Sequence, residues 1–246
     1  MTSISGSRLY IGAVIVAGIA LLVSFAPRDL QNPALAGALL ASTLVLSVWK
    51  LRLPLGNGVS TMSMAYAVDF VALIMEGASL AMLLGAIGVL IQCTVRVHRK
   101  QPIHRAAFSA AAVIIAVQVA GMGWRALGGS ITNLTLMTTV LPLMVCAITY
   151  FAVNTSLVVG AIAVTTSASP RRAWSPEFLR AAPAYVAAAF VAGLVAFAIL
   201  NGVAVLLPIV ASPLFVVYRG YHTRWSAMAS MVLGRSASRT GTPATV

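Results

Sequence analysis

RAAFSAAAVIIAVQVAGMG, Arg105–Gly123, reads as a helix made for lipid. Between its leading arginine and the Trp124-Arg125 pair that follows, the only amide or charged side chain is Gln118. The run is long enough to carry an α-helix across a ~30 Å hydrocarbon core. It is too long and too uniformly apolar for the alternating ~10-residue strands of an outer-membrane barrel. Similar blocks recur along the chain, which predicts an all-α, polytopic transmembrane helix bundle of about eight spans, with six as the lower bound.

The blocks before Arg105 are Leu9–Phe25, Ala34–Trp49, a shorter and less apolar Met62–Glu76, and Ala78–Val95. After it come Leu141–Thr166, Ala182–Leu200 and Val203–Tyr221. The turn-rich Ala26–Pro33 joins the first two, and Asn201-Gly202 separates the last two. Composition agrees, with 60% hydrophobic residues, 8% charged and a mean hydropathy of +0.98. A soluble domain carries roughly a quarter charged residues. No internal repeat or low-complexity linker divides the chain, so residues 1–225 read as one membrane domain. Residues 226–246 read as a short cytoplasmic tail, expected to be disordered.

The net charge is +12, from 16 Lys and Arg against four acids. The basic residues stand at block ends, as membrane insertion demands, and no basic stripe with interleaved aromatics suggests nucleic acid. With the N-terminus inside, the cytoplasmic set is Arg8, Lys50, Arg52, Arg96, Arg99, Lys100, Arg105, Arg171, Arg172, Arg180, Arg219, Arg224, Arg235 and Arg239. Arg28 and Arg125 alone fall outside. The expected location is thus a bacterial inner or plasma membrane, multi-pass, with both termini cytoplasmic. The first block is too long for a signal peptide and lacks a convincing cleavage site, so it reads as a retained span.

The stretch Leu53–Phe70 differs from the rest. Leu53-Pro54-Leu55 leads into the turn signal Gly56-Asn57-Gly58. Beyond it Met62, Met64, Tyr66, Val68 and Phe70 alternate with small or polar residues, suggesting extended chain. An open hairpin edge cannot face lipid. The segment around 53–64 is therefore either a short hairpin at the interface, the preferred reading, or a re-entrant piece inside a protein-lined cavity. Ser130–Val140 is a second candidate for an interfacial or re-entrant segment.

Few residues can carry chemistry. Asp29 and Glu76 fall at outer boundaries and Glu177 in an inner loop, whereas Asp69 falls near the middle of the third block. An ionisable group at that depth is expensive unless paired, hydrated or neutralised, which marks a ligand, ion or proton site. The alternative is a carboxyl bonded to another helix. Asp69 has Tyr66 as a helical neighbour, and Asn154 lies one turn from Tyr150 in the sixth block. Gln118 and Gln92 sit on faces rich in Gly and Ala, where amides commonly bond helix to helix. The ligand-binding set expected is therefore Asp69, Asn154, Gln118, Tyr66, Tyr150 and Gln92, with Asp69 and Asn154 closest together. Trp124 and Arg125 read as an interfacial anchor. His98 and His104 flank a basic loop expected to contact anionic headgroups.

Enzyme signatures are missing. The sequence has no Gly-x-Ser-x-Gly, no His-Glu-x-x-His, no phosphate-binding loop and no dinucleotide fingerprint. Cys93 and Cys146 lie singly in apolar blocks, so no metal centre, cofactor or redox pair is expected.

RLPLGNGVSTMSMAYAVDFVALIMEG, ending at Gly77, resembles a recurrent bacterial pattern, as do YFAVNTSLVVGAIAV from Tyr150 and the closing LPIVASPLFVVYRGYHTR. Together, from Leu9 to about Arg224, they look like the multi-span sensor region that precedes HD-GYP phosphodiesterase or GGDEF cyclase domains in cyclic-di-GMP signalling proteins. The resemblance implies a sensor module. Neither an HD dyad nor a GGDEF sequence follows Tyr221, so the expectation is a module without its own output domain. The function expected is a non-enzymatic sensor-like or ligand-binding membrane module. A small-molecule transporter or its substrate-binding subunit is the alternative, and a membrane enzyme or assembly factor stands third. Expected partners are membrane lipids, an unidentified small ligand and a separate cytoplasmic signalling or transport protein, with no nucleic acid.

Overall fold

A computed structural model describes residues 3–48, 50–55, 58–95, 102–131, 135–166, 176–203 and 219. The chain forms α1 (Ser3–Ser24) and α2 (Pro33–Val48), then strands β1 (Lys50–Leu55) and β2 (Gly58–Ser63). Next come α3 (Tyr66–Met75), α4 (Ala78–Thr94), α5 (Ile103–Ala126), α6 (Leu141–Thr166) and α7 (Pro176–Leu200). Asn32 starts α2 by accepting from Leu35 N–H at 3.0 Å, with Pro33 at the first helical position, where its missing N–H is harmless.

Among the described residues four stretches are long and apolar enough to cross a membrane: Gly6–Ser24, Ile103–Ala126, Leu136–Thr166 and Ala181–Leu200. The expected count of about eight is corrected by this. Pro33–Val48, Tyr66–Met75 and Ala78–Thr94 are apolar but shorter, and the block Val203–Tyr221 lies, apart from Val203 and Arg219, outside the described residues, as does the tail 226–246. Hydropathy counted apolar blocks without knowing where the chain would turn. At α3 it turned early, giving a helix of about 15 Å at 1.5 Å per residue, half of what a span requires.

The extended segment forms an antiparallel hairpin pairing Lys50 with Ser63 through to Leu55 with Gly58. It begins three residues before the expected 53. The alternation read through Phe70 does not continue as strand, because the helix α3 takes over at Tyr66. Every residue from Tyr66 to Leu73 is buried, so no solvent-facing side exists to reveal the helical period. At the other candidate segment, a π-helical turn over Leu136–Val140 runs directly into α6, and Thr139 Oγ1 donates to Ser130 O at 2.6 Å.

α5 lies at the centre, packed by α1, α4 and α6, while α3 is held between α4 and α7. Of the most apolar window, 67% is buried in α5 and 11% in α1. Small residues make the close approaches. A Cβ placed on Gly121 of α5 would come within 2.8 Å of Ala78 Cβ on α4, and one on Gly18 of α1 would overlap Ala111. Leu9, Val16, Ile19 and Val23 of α1 stay exposed, a surface suited to lipid.

Candidate functional site

α3 carries the one described carboxylate that is fully enclosed. The turn at Met64-Ala65 starts the helix, with Val68 N–H bonding Ala65 O at 2.8 Å and Asp69 N–H bonding the same oxygen at 3.2 Å. Asp69 thus falls in the first turn, where the partial positive charge of a helix N-terminus favours an anion. The residue is 3% exposed. From the middle of α6, Tyr150 Oη donates to Asp69 Oδ2 at 3.1 Å, a contact spanning 81 positions of sequence.

Around this pair stands a group of aromatic rings. The Phe70 and Tyr150 ring centres are 5.2 Å apart. Tyr185 of α7 lies 5.6 Å from Tyr150, stacks on Tyr66 at 4.7 Å and tilts against Phe151 at 5.5 Å. Asn154, one turn beyond Tyr150, hydrogen-bonds the Tyr185 side chain. Tyr66 Oη also points to Met64 Sδ at 3.7 Å. Each aromatic pair adds roughly 0.5–1.5 kcal/mol beyond its burial. The cluster therefore ties α3, α6 and α7 together at the level of the carboxylate.

On the opposite side α4 comes close. A Cβ on Gly85 would stand 3.1 Å from Asp69 Oδ2 and 2.7 Å from Val113 Cγ1. The second carboxylate oxygen, Oδ1, is buried without a hydrogen-bond partner among the described residues. Tyr150 is the only polar neighbour acting strongly on the carboxyl among the described residues, and no cationic side chain faces it. A buried carboxylate without a counter-charge is costly, so it is disposed to take up a proton, a cation or a donor-bearing ligand.

Of the residues expected to bind ligand, Asp69, Tyr150, Tyr66 and Asn154 are thus brought into one cluster. Asp69 meets Tyr150, and Asn154 joins through Tyr185 rather than by lying against the carboxylate. Gln118 is buried on α5 and donates from Nε2 to Met82 Sδ of α4 at 3.0 Å, one turn from Gly85. That is a helix-to-helix bond. Gln92 is half-buried seven residues beyond Gly85, about 10 Å further along α4. Tyr185, Phe70 and Phe151 were not expected. The available signal for Tyr185 was its place as the single hydroxyl-bearing side chain within Ala181–Ala189. His98 lies outside the described residues, while His104 is exposed at the start of α5.

No family model, curated protein or solved structure matches the chain.

Proposed function

We propose that this chain is an integral membrane ligand-binding module of the sensor type, without catalytic output of its own, in which Asp69 is the responsive group. One observation carries the reading: a fully enclosed carboxylate has one oxygen held by Tyr150 and the other without a partner among the described residues. The Tyr150 bond links α3 to α6, and Tyr185 extends the contact to α7. A ligand that engages Oδ1 or displaces Tyr150 shifts the balance among three helices, which is the differential interaction a switch needs. The signal then passes to a separate cytoplasmic partner. Placement in an inner or plasma membrane is supported by the span-length apolar helices, and the cytoplasmic side for both termini by Arg8 at one end and Arg219, Arg224, Arg235 and Arg239 at the other.

A screen of metabolites and lipids by native mass spectrometry, on the protein in nanodiscs, tests the site. Asp69→Asn and Tyr150→Phe should each weaken any binder found by about tenfold or more, that is ~1.4 kcal/mol. A binder whose affinity neither change alters would overturn the assignment. Reporter fusions at both ends check the orientation, and an outside terminus would refute it.

The half-length α3 favours a second reading, a small-molecule transporter or its substrate-binding subunit. Interrupted helices that end beside polar groups line many transporter sites. Uptake of the same binder into proteoliposomes, lost in Asp69→Asn, would select transport over sensing.

A further inference from the structure

The side chains around Asp69 stand close together. A Cβ on Gly85 of α4 would lie 3.1 Å from Asp69 Oδ2 and 2.7 Å from Val113 Cγ1, so α4 and α5 meet beside the carboxyl. On the other side the rings of Phe70, Tyr150, Tyr185 and Tyr66 follow one another at 4.7–5.6 Å between centres. Packing of this kind admits a metabolite or a metal ion only if helices move apart. A proton needs no volume.

The charges on the surrounding helices point the same way. α2 has no ionisable side chain, and α4 has only Cys93, eight residues beyond Gly85 and so ~12 Å along the axis. α5 carries His104, Arg105 and Arg125, each eight or more residues from Val113. α6 offers Cys146 and Tyr150, and α7 offers Tyr185, with Glu177 and Arg180 in its first two turns. α3 itself adds Tyr66 and, at its C-cap, Glu76. Among the described side chains none brings a positive charge to the carboxyl, and Tyr150 is its one donor.

An enclosed carboxylate without a counter-charge is far more costly than the neutral acid, so the acid is the form this packing accepts. A proton on Oδ1 leaves Oδ2 in place to accept from Tyr150. We propose that the ligand of this centre is a proton: Asp69 is a neutral acid in the folded bundle, and its ionisation loosens α3 from α6 and α7, which makes the module responsive to pH. The inference rests on the reading of Asp69 as the responsive group and names what it responds to. In the step itself the Oδ1–H bond breaks, the electron pair stays on the carboxylate, and water takes the proton. The contacts then at risk are the Tyr150 bond and the stack of Tyr66 on Tyr185, because their parting lets water reach the new charge.

The full chain in nanodiscs of uncharged lipid, without added ligand, tests this between about pH 5 and pH 9. Infrared difference spectra should show the carbonyl band of a protonated carboxylic acid that is present at the acid end, lost at the alkaline end and missing in Asp69→Asn. The folded state then holds a proton that the unfolded chain gives up, so stability falls as pH rises, and Tm should drop by about 5 °C or more across the range. Asp69→Asn, which mimics the neutral acid, should flatten that drop. Tyr150→Phe removes a donor that favours the charged form, so the band should persist to a pH higher by about one unit. Should Asp69→Asn fail to fold, the shift in Tyr150→Phe decides. A carboxylate already ionised at pH 5, a band unchanged at pH 9, or the parent pH profile retained in Asp69→Asn would each overturn the proposal. These readouts involve no organic ligand, so failure of the metabolite screen leaves them standing, and their failure leaves the screen standing.

Discussion

α1 and α3 reverse the usual relation between hydropathy and position. α1 is long and strongly apolar, yet 11% of its most apolar window is buried, and its exposed face carries Leu9, Val16, Ile19 and Val23. α3 is 10 residues long and includes a carboxylate, yet Tyr66–Leu73 is buried throughout. The difference teaches that, in lipid, apolar character records what a surface can tolerate, while centrality is set by packing and polar bonds. α1 is held by small-residue contact at Gly18 and Ala111 and by Tyr10 Oη donating to Leu157 O at 3.1 Å. α3 is held by aromatic stacking and by the bond from Tyr150 to Asp69.

The contrast breaks most readily at Phe70, which is 0% exposed. Phe70→Ala should cost ~3–5 kcal/mol by removing a ring from a closed cluster, read as the unfolding midpoint in mixed micelles. A change no larger than that of an α1 substitution would show that α3 is not central. Tyr150→Phe should cost about 1–3 kcal/mol, because Asp69 then loses its one hydrogen-bond donor while staying buried. If stability is unchanged, the bond carries no weight in holding α3 to α6. Gly18→Ala should have a smaller effect, about 1 kcal/mol, since the new methyl overlaps Ala111 but a peripheral helix can shift outward. Least of all is expected from Val16→Ala, whose side chain is 66% exposed, with a melting temperature indistinguishable from the parent.

How much of this was legible before the fold varied with the element. The blocks Arg105–Gly123, Leu141–Thr166 and Ala182–Leu200 correspond to α5, α6 and α7, because a span-length apolar run between basic or turn residues has few other options. Met62–Glu76 misled, since the alternation that is true strand at Met62 runs on through Met64, Tyr66, Val68 and Phe70, where a turn and then an all-round buried helix have taken over. Asp69 stands out in the sequence because a carboxylate inside an apolar block is rare. Tyr150 is legible as the neighbour of Asn154 one turn away, but its bond to Asp69 is not, because only the fold brings α6 beside α3. Thr43 and Ser47 are four residues apart in an unremarkable apolar run. Only the missing side chain of Gly88, on a different helix, lets both pack against α4.

The brevity of α3 also bears on how the protein enters its membrane. Ten residues are about half a span, too few to partition into lipid on hydropathy alone. At Gly77, whose φ of +94° favours glycine, the chain reverses directly into α4. α3 and α4 are therefore suited to insert together as one helical hairpin with Gly77 at its apex. A nascent chain that ends before Ala78 offers α3 only its small contact with α2 to lie against. We expect α3 to reach its place only after α4 has emerged, so that the segment bearing the carboxylate commits to the bilayer together with the helix that follows it.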